Sequence, residues 1–367
     1  MRGVPWSTVR QWRAARQHLL EPASTLRGAL EALPPLAAGP SAYLSLWARV
    51  RPRPTAREVE ALVAKREELV PHFVHGLGDV LVPPPLVAPF AAVRLYRVRR
   101  DARRSRRVRG EELALEKAAA DLLPTLSERL TPLNEVGSQA RDALDQLCSR
   151  GRVAKYPEAG ALDGQWSYAL SPAVEAEAES HAAGWSFLED LGLHFLTVAG
   201  PATRDDFAWW SGASGAAARR TIEEMAGSVE EVDLEGGRQA HFMIEEDAAR
   251  LRRFAAGPSD HAALLPSLDP VRFAGRAGFG ALAGPRVAAR VAPPARRRGG
   301  ALTAGPRVAL VGGSPVGTWD WPAGAAIDVH PIGLWDAARA RAVEAEREGL
   351  EGWVEARLPW AAGVRAL

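Results

Sequence analysis

Residues 200–244 constrain the fold more than any other stretch. Gly200-Pro201-Ala202-Thr203 leads into two short helical patterns, and two strand patterns joined by Glu235-Gly236-Gly237 follow. Thr203 can accept a hydrogen bond from the free N–H groups of a helix through Asp205, Asp206 and Trp209, whose acidic first turn suits the positive end of the dipole. That helix should stop near Gly212. Ser214 caps a second, Ala-rich helix carrying Arg219 and Arg220, with Ala218, Ile222 and Met225 at apolar helical spacing. Val229, Val232 and Leu234 read as one strand and Ala240, Phe242 and Ile244 as its partner, the Gly pair supplying the positive φ of a tight hairpin. Two crossed helices and a hairpin make a winged helix, whose second helix can enter the DNA major groove; Arg219, Arg220 and Arg238 are then candidate DNA contacts. Winged helices also dock proteins, so a regulatory or protein-interaction module stays open.

The same order of elements is predicted twice more. In residues 1–110, helical patterns cover Ser7 to Leu20, a short buried stretch from Tyr43 to Val50, and a Thr55-capped helix through Val59, Leu62 and Val63. Strand patterns at Val70 to Phe73 and Val80 to Val82 flank the turn His75-Gly76-Leu77-Gly78. In residues 111–172, helices over Leu113 to Leu130 and Leu133 to Leu147 precede strands at Arg152 to Tyr156 and Gln165 to Leu170, with Glu158 to Gly164 as a wing loop. Residues 173–256 hold a linker helix, Val174 to Phe195, whose acidic Glu175, Glu177 and Glu179 face away from DNA, and then the third unit. Residues 257–367 turn rich in Gly and Pro, and short β-type runs at Arg286 to Val291, Val308 to Val311, Pro315 to Trp319 and Ala326 to Val329 predict a small β-barrel before a helix from Pro331 to Ala356. The expected class is α+β: three tandem winged-helix units and a C-terminal β-barrel.

Charge distribution, not net charge, names the partner. The chain of 367 residues carries only +2 overall, yet nine arginines between Arg94 and Arg109 are opposed by Asp101 alone, a net +8 in sixteen residues. As a helix over 88–104 the segment has an apolar stripe at Ala91, Leu95, Val98 and Ala102; Arg97, Arg99, Arg100, Arg103 and Arg104 cover the rest, and Arg106 and Arg107 continue the run just beyond it. Like charges at this density repel, which favours a polyanion such as duplex DNA over a merely solvated face. The stripe lacks the large side chains a membrane surface would select. Arg296, Arg297 and Arg298 form a second basic loop that can meet phosphate. Cys148 is the sole cysteine, no apolar run approaches a membrane span, and no secretory segment follows Met1, so the expectation is a cytoplasmic monomer. There is no zinc spacing among the histidines and no phosphate-cradling loop, hence no expected metal or cofactor.

Several segments together resemble a known family. Trp12-Arg13-Ala14-Ala15-Arg16-Gln17-His18-Leu19-Leu20, Tyr43-Leu44-Ser45-Leu46-Trp47-Ala48-Arg49, Gly200-Pro201-Ala202-Thr203 with Asp206 and Trp209-Trp210, Leu264-Leu265-Pro266-Ser267-Leu268-Asp269-Pro270 and Gly317-Thr318-Trp319 are similar, in order, to landmarks of the AlkZ/YcaQ-type proteins. The resemblance implies a C-shaped array of three winged helices closed by a β-barrel, and DNA glycosylases that unhook interstrand crosslinks or release alkylated purines. It also implies a catalytic Gln-x-Gln or Gln-x-Asp shortly before the Leu-Trp-Ala-Arg landmark. Counting back from Tyr43, those positions are Pro35 and Ala37, and no glutamine lies between Gln17 and Gln139. The family's hairpin, roughly Arg-Gly-Thr-Leu-His, reads His75-Gly76-Leu77-Gly78-Asp79. No catalytic residue is assigned; Glu31 and Asp79 are the carboxylates that remain nearby. The expected function is recognition or sequestration of damaged duplex DNA, alkylated or crosslinked, with an active glycosylase using other residues as the alternative.

Overall fold

The computed structural model describes residues 3–74, 77–104, 106–126, 130–136, 140–157, 166–183, 186–237, 239–273, 275, 278–291, 305–322 and 325–357. Helices and small antiparallel sheets alternate along the chain. The first sheet has the order Leu36–Ala37, Gly78–Val82, Val70–Val74, with Leu36 opposite Leu81 and Ala37 opposite Val80. The second runs Thr131–Pro132, Trp166–Leu170, Val153–Pro157, and the third is the hairpin Val229–Val232 with His241–Ile244. Helices precede each of them.

Local chemistry explains the elements of the third hairpin's unit. Thr203 Oγ accepts from the Asp206 N–H at 3.1 Å while the Asp206 carboxylate accepts in return from Thr203, so two orphan donors of the helix Arg204–Ser211 are satisfied. Gly212 ends it in the left-handed region at φ 77°. Ser214 caps the helix Gly215–Glu224, whose Ala218 and Ile222 are buried beside Met225. These residues share one apolar core with Trp210, Phe207, the helix Ser186–Ala199, the helix Val87–Arg104 and the Ala37/Val80 face of the first sheet. A second core joins residues 23–81 to the C-terminal sheet and the helix Ala337–Arg357, with Trp47 and Trp353 ring centroids 4.8 Å apart.

Several elements differ from the sequence expectation. Among the described residues the C-terminal strands do not close: Asp328–Pro331, Ser314–Asp320, Arg307–Val311 and Ala262–Leu265 form, in that order, an open four-stranded antiparallel sheet rather than a β-barrel. One expected strand, Arg286 to Val291, is instead the helix Pro285–Val291, whose Val287, Ala288 and Val291 pack at helical spacing on a core with Phe279 and Leu282. Proline suits the first turn of a helix and a four-residue apolar spacing beats alternation over so short a run. The linker is two helices, Pro172–Ala183 and Ser186–Ala199. The first of them packs along the basic helix Val87–Arg104, so its acidic side meets arginines: Arg99 pairs with Glu179, and Arg152 with Glu175 at 2.7 Å. The wing loop at 158–165 lies outside the described residues.

The N-terminus is tied to the third hairpin. Val4 bridges Leu234, its N–H donating to Asp233 O at 2.8 Å, and the helix Trp6–Arg16 buries Val9 and Trp12 against Val232, Leu234, Met243 and Leu251. No described helix is long and apolar enough to cross a membrane.

Candidate catalytic positions and nucleic-acid interface

Pro35, Leu36 and Ala37 are all buried, and neither face of this strand carries a polar side chain. Residues directly opposite in an antiparallel pair share a face. Ala37, Val80 and His72 therefore lie in one row, and Phe73 and Asp79 in a row on the reverse face. Ala37 and Val80 belong to one buried apolar cluster with Phe90 and Trp210, so neither side chain can hold or activate a water. His72 offers no base chemistry there: it is buried, and its pKa is pushed down to about 3 by burial and by the charges of Lys155 and Arg66.

Asp79 is the carboxylate nearest the strand, since the Ala38 N–H donates to the Asp79 carbonyl at 3.0 Å. Its side chain turns to the reverse face and pairs with Lys155. Lys155 is 1% exposed, also reaches Asp145 at 2.8 Å, and sits 5.4 Å from the Phe73 ring centroid. Burial alone would lower the lysine pKa, but the acidic groups around it, Asp79 and Asp145 among them, hold it above the ordinary value, so the amine stays protonated and is no nucleophile. Burial raises the Asp145 carboxyl against the pull of Lys155, and pushes the Cys148 thiol up to about 12. The cluster is a structural ion network between the first and second sheets; Asp79, with 35% of its side chain exposed, is its solvent-facing member. Glu31 is exposed at the end of the helix Leu26–Glu31.

The arginines expected at DNA divide into groups. Arg97 donates to the Gly212 carbonyl at 3.1 Å, closing the end of the helix Arg204–Ser211, so it positions the unit that bears Arg219 and Arg220. Arg99 pairs with Glu179 with both side chains about half exposed, and Arg100 is partly buried on the same helix. Arg219 and Arg220 are exposed, Arg220 binding Glu224 at 2.6 Å. Arg103 and Arg104 end the helix Val87–Arg104 and Arg106 and Arg107 begin the helix Arg106–Leu122. Arg238, Arg296, Arg297 and Arg298 lie outside the described residues. Exposed ion pairs are worth at most about 1 kcal/mol, so a phosphate can replace Glu179 at Arg99 with little loss.

The landmark residues prove to be fasteners. Arg49 and Asp269, both 0% exposed, form a bidentate pair with two 2.7 Å bonds across 220 positions of sequence. Trp319 Nε1 donates to the Leu265 carbonyl at 3.0 Å, and Trp47 Nε1 to Glu346 at 3.1 Å. Sequence reasoning missed the Lys155 network and the packing of the first helix on the third hairpin. The scarcity of lysine, three in the whole chain, was the one signal for the former.

Residues 28–353 match the family model described as AlkZ-like DNA glycosylase. Among solved structures, the Streptomyces sahachiroi DNA glycosylase AlkZ superposes with a TM-score of 0.68 at 19% identity, over 94% of this chain and 95% of that one; at such identity the likeness is one of fold. No curated protein sequence matches the chain.

Proposed function

Since the chain belongs to the AlkZ-like DNA glycosylase family, we propose that it is a winged-helix protein that binds damaged duplex DNA, alkylated or crosslinked, and lacks the hydrolytic pair of the active members. One observation carries this reading: positions 35 to 37 are apolar and buried, and the adjacent carboxylate, Asp79, faces the other way into an ion pair with Lys155. Hydrolysis of a glycosidic bond needs a held water opposite the leaving base and a group that stabilises positive charge on the sugar. Pro35 and Ala37 supply neither. Duplex contact falls to Arg99, Arg100, Arg103, Arg104, Arg106 and Arg107 along the backbone and to Arg219 and Arg220 on the second helix of the third unit, with Arg238 and Arg296 to Arg298 in flanking loops. The units divide at 1–110, 111–172, 173–256 and 257–367. In this reading the three helix-and-hairpin units curve around the duplex.

The test is a rate. Purified protein is incubated with an N7-alkylguanine duplex, heated, and strand breaks are compared with spontaneous depurination. The expected result is binding with excision near background. The second reading, an active glycosylase, has one feature in its favour: Asp79 is fixed by Lys155 yet partly open to solvent. Excision orders of magnitude above background and abolished by Asp79→Asn would establish that reading and overturn the first.

A further inference from the structure

A cleft of about 430 Å³ lies between the helix Trp6–Arg16 and the third hairpin, within the range of roughly 300–1,000 Å³ of small-ligand sites. Trp6, Arg10 and Arg13, at helical spacing i, i+4 and i+7, line one side; Asp206, Gln239 and His241 line the other. Small residues, Gly280, Ala281 and Ala283 among them, keep a third side open. The helix cannot drift, because Val4 is paired with Leu234 just before it. Trp6 is fixed edge-to-face against His241, centroids 5.3 Å apart and planes at 82°.

Among the described residues the charges lining the cleft do not cancel. Arg10 is half-buried and has no hydrogen-bond or ion-pair partner among the described residues. Arg13 donates to the Pro201 carbonyl, its Nε is buried without a partner, and burial lowers its pKa despite Asp206 nearby. Asp206 is already engaged by the Thr203 N–H and hydroxyl. Burial, with Arg13 adding to it, lowers the His241 pKa, which leaves the imidazole neutral at pH 7. Two arginines thus line the cleft with one committed carboxylate, beside an indole.

We propose that this cleft binds a nucleotide, its phosphate on Arg10 and Arg13 and its base against Trp6. A bare phosphate would leave the indole unused, and a nucleoside would leave Arg10 unpaired; the nucleotide uses both. The ligand is either a free nucleotide or one displaced from a DNA strand, and the chemistry of recognition is the same.

Calorimetry of the full chain with deoxyguanosine 5′-monophosphate, deoxyguanosine and inorganic phosphate tests it. Saturable binding of the monophosphate is expected, with deoxyguanosine and phosphate each weaker, and Arg10→Ala should weaken it about tenfold or more. Alanine is favourable in a helix, so this variant keeps the fold, and Arg10→Lys should recover part of the affinity. A wild-type preference for a duplex with a one-nucleotide bulge, lost in Arg10→Ala, assigns the site to a strand-borne nucleotide; an unchanged preference assigns it to a free one. Absence of saturable monophosphate binding, or binding indifferent to Arg10→Ala, overturns the proposal. Duplex binding is measured in parallel: a protein that takes duplex but no monophosphate loses this cleft and keeps the DNA reading, and the reverse result does the opposite.

Discussion

Replacing Asp269 by Ala should be among the most damaging single changes in the chain. Asp269 accepts from Arg49 Nη1 and Nη2, both at 2.7 Å, and from the Val271 N–H at 3.0 Å. Without it the guanidinium, 0% exposed, keeps only the carbonyls of Ser45 at 2.9 Å and Gln17 at 3.1 Å and no counter-charge. Breaking a buried pair by removing one partner costs about 3–5 kcal/mol, chiefly because the surviving charge is left desolvated. Asp269→Asn keeps the shape and one acceptor and should lose about 1.5–3 kcal/mol, the worth of a charge-assisted bond. Arg49→Met with Asp269→Leu removes both charges, so the double variant should cost far less than the two single changes summed. Urea unfolding followed by far-ultraviolet circular dichroism reads the wild type, each single variant and the double variant. A loss below about 1 kcal/mol for Asp269→Ala, or strict additivity in the cycle, would refute the assignment of this pair as a buried fastener. Because neither side chain reaches solvent, duplex affinity should be unchanged wherever the variants are folded.

Three further outcomes are expected. Changing Arg103, Arg104, Arg106 and Arg107 to Ala should flatten the slope of log affinity against log salt by about 0.9 for each phosphate no longer neutralised, measured by fluorescence anisotropy on duplex; an identical slope removes this segment from the interface. His72 has its pKa held down to about 3 from 6.5. The unfolded chain therefore takes up a proton that the folded one refuses, and the contribution of His72 to stability is intact above pH 6.5 and falls as pH drops, by about 2 kcal/mol at pH 5; His72→Leu should make the slope shallower by that share in pH-resolved unfolding and leave the shares of His194 and His261, both lowered to about 4 by burial. Ala37→Gln, which puts an amide where the family places one, buries it beside Phe90 and Trp210 and should cost about 1–3 kcal/mol without raising excision above background.

What was legible in the sequence was whatever rested on local rules. Thr203 and Asp206 close the capping box, Ser214 caps the next helix, and Gly212 takes the positive φ that stops the first. Pairing across distant segments had no such signal. The two-residue strand Leu36–Ala37 is too short for any periodicity, yet its register against Gly78–Val82 decides which way Asp79 points. Alternation misled at Arg286 to Val291, where so short a run fits both periods and the packing on Phe279 and Leu282 chose the helix. The basic run was legible as charge but not as geometry, since nothing in its spacing shows that Arg97 closes another helix or that Arg99 meets Glu179 from residues 172–183.

The residues that carry the family resemblance and those that would carry its chemistry answer to different physical demands. Arg49, Asp269, Trp319 and the Thr203–Asp206 box are buried or capping groups whose removal leaves a charge, a donor or an acceptor unsatisfied, so each serves the fold whatever the protein binds. A polar pair at positions 35 and 37 is under the opposite demand. It must leave hydrogen-bonding capacity free for a water, and in a strand packed as tightly as Leu36–Ala37 that capacity is a cost the apolar residues avoid. The family match over residues 28–353 therefore speaks for the scaffold and not for hydrolysis, and the chemistry has to be read at Ala37 and Asp79 themselves. There the apolar strand face and the Lys155 ion pair are the two features on which the proposed loss of hydrolysis rests, and excision by the wild type and by Asp79→Asn tests both.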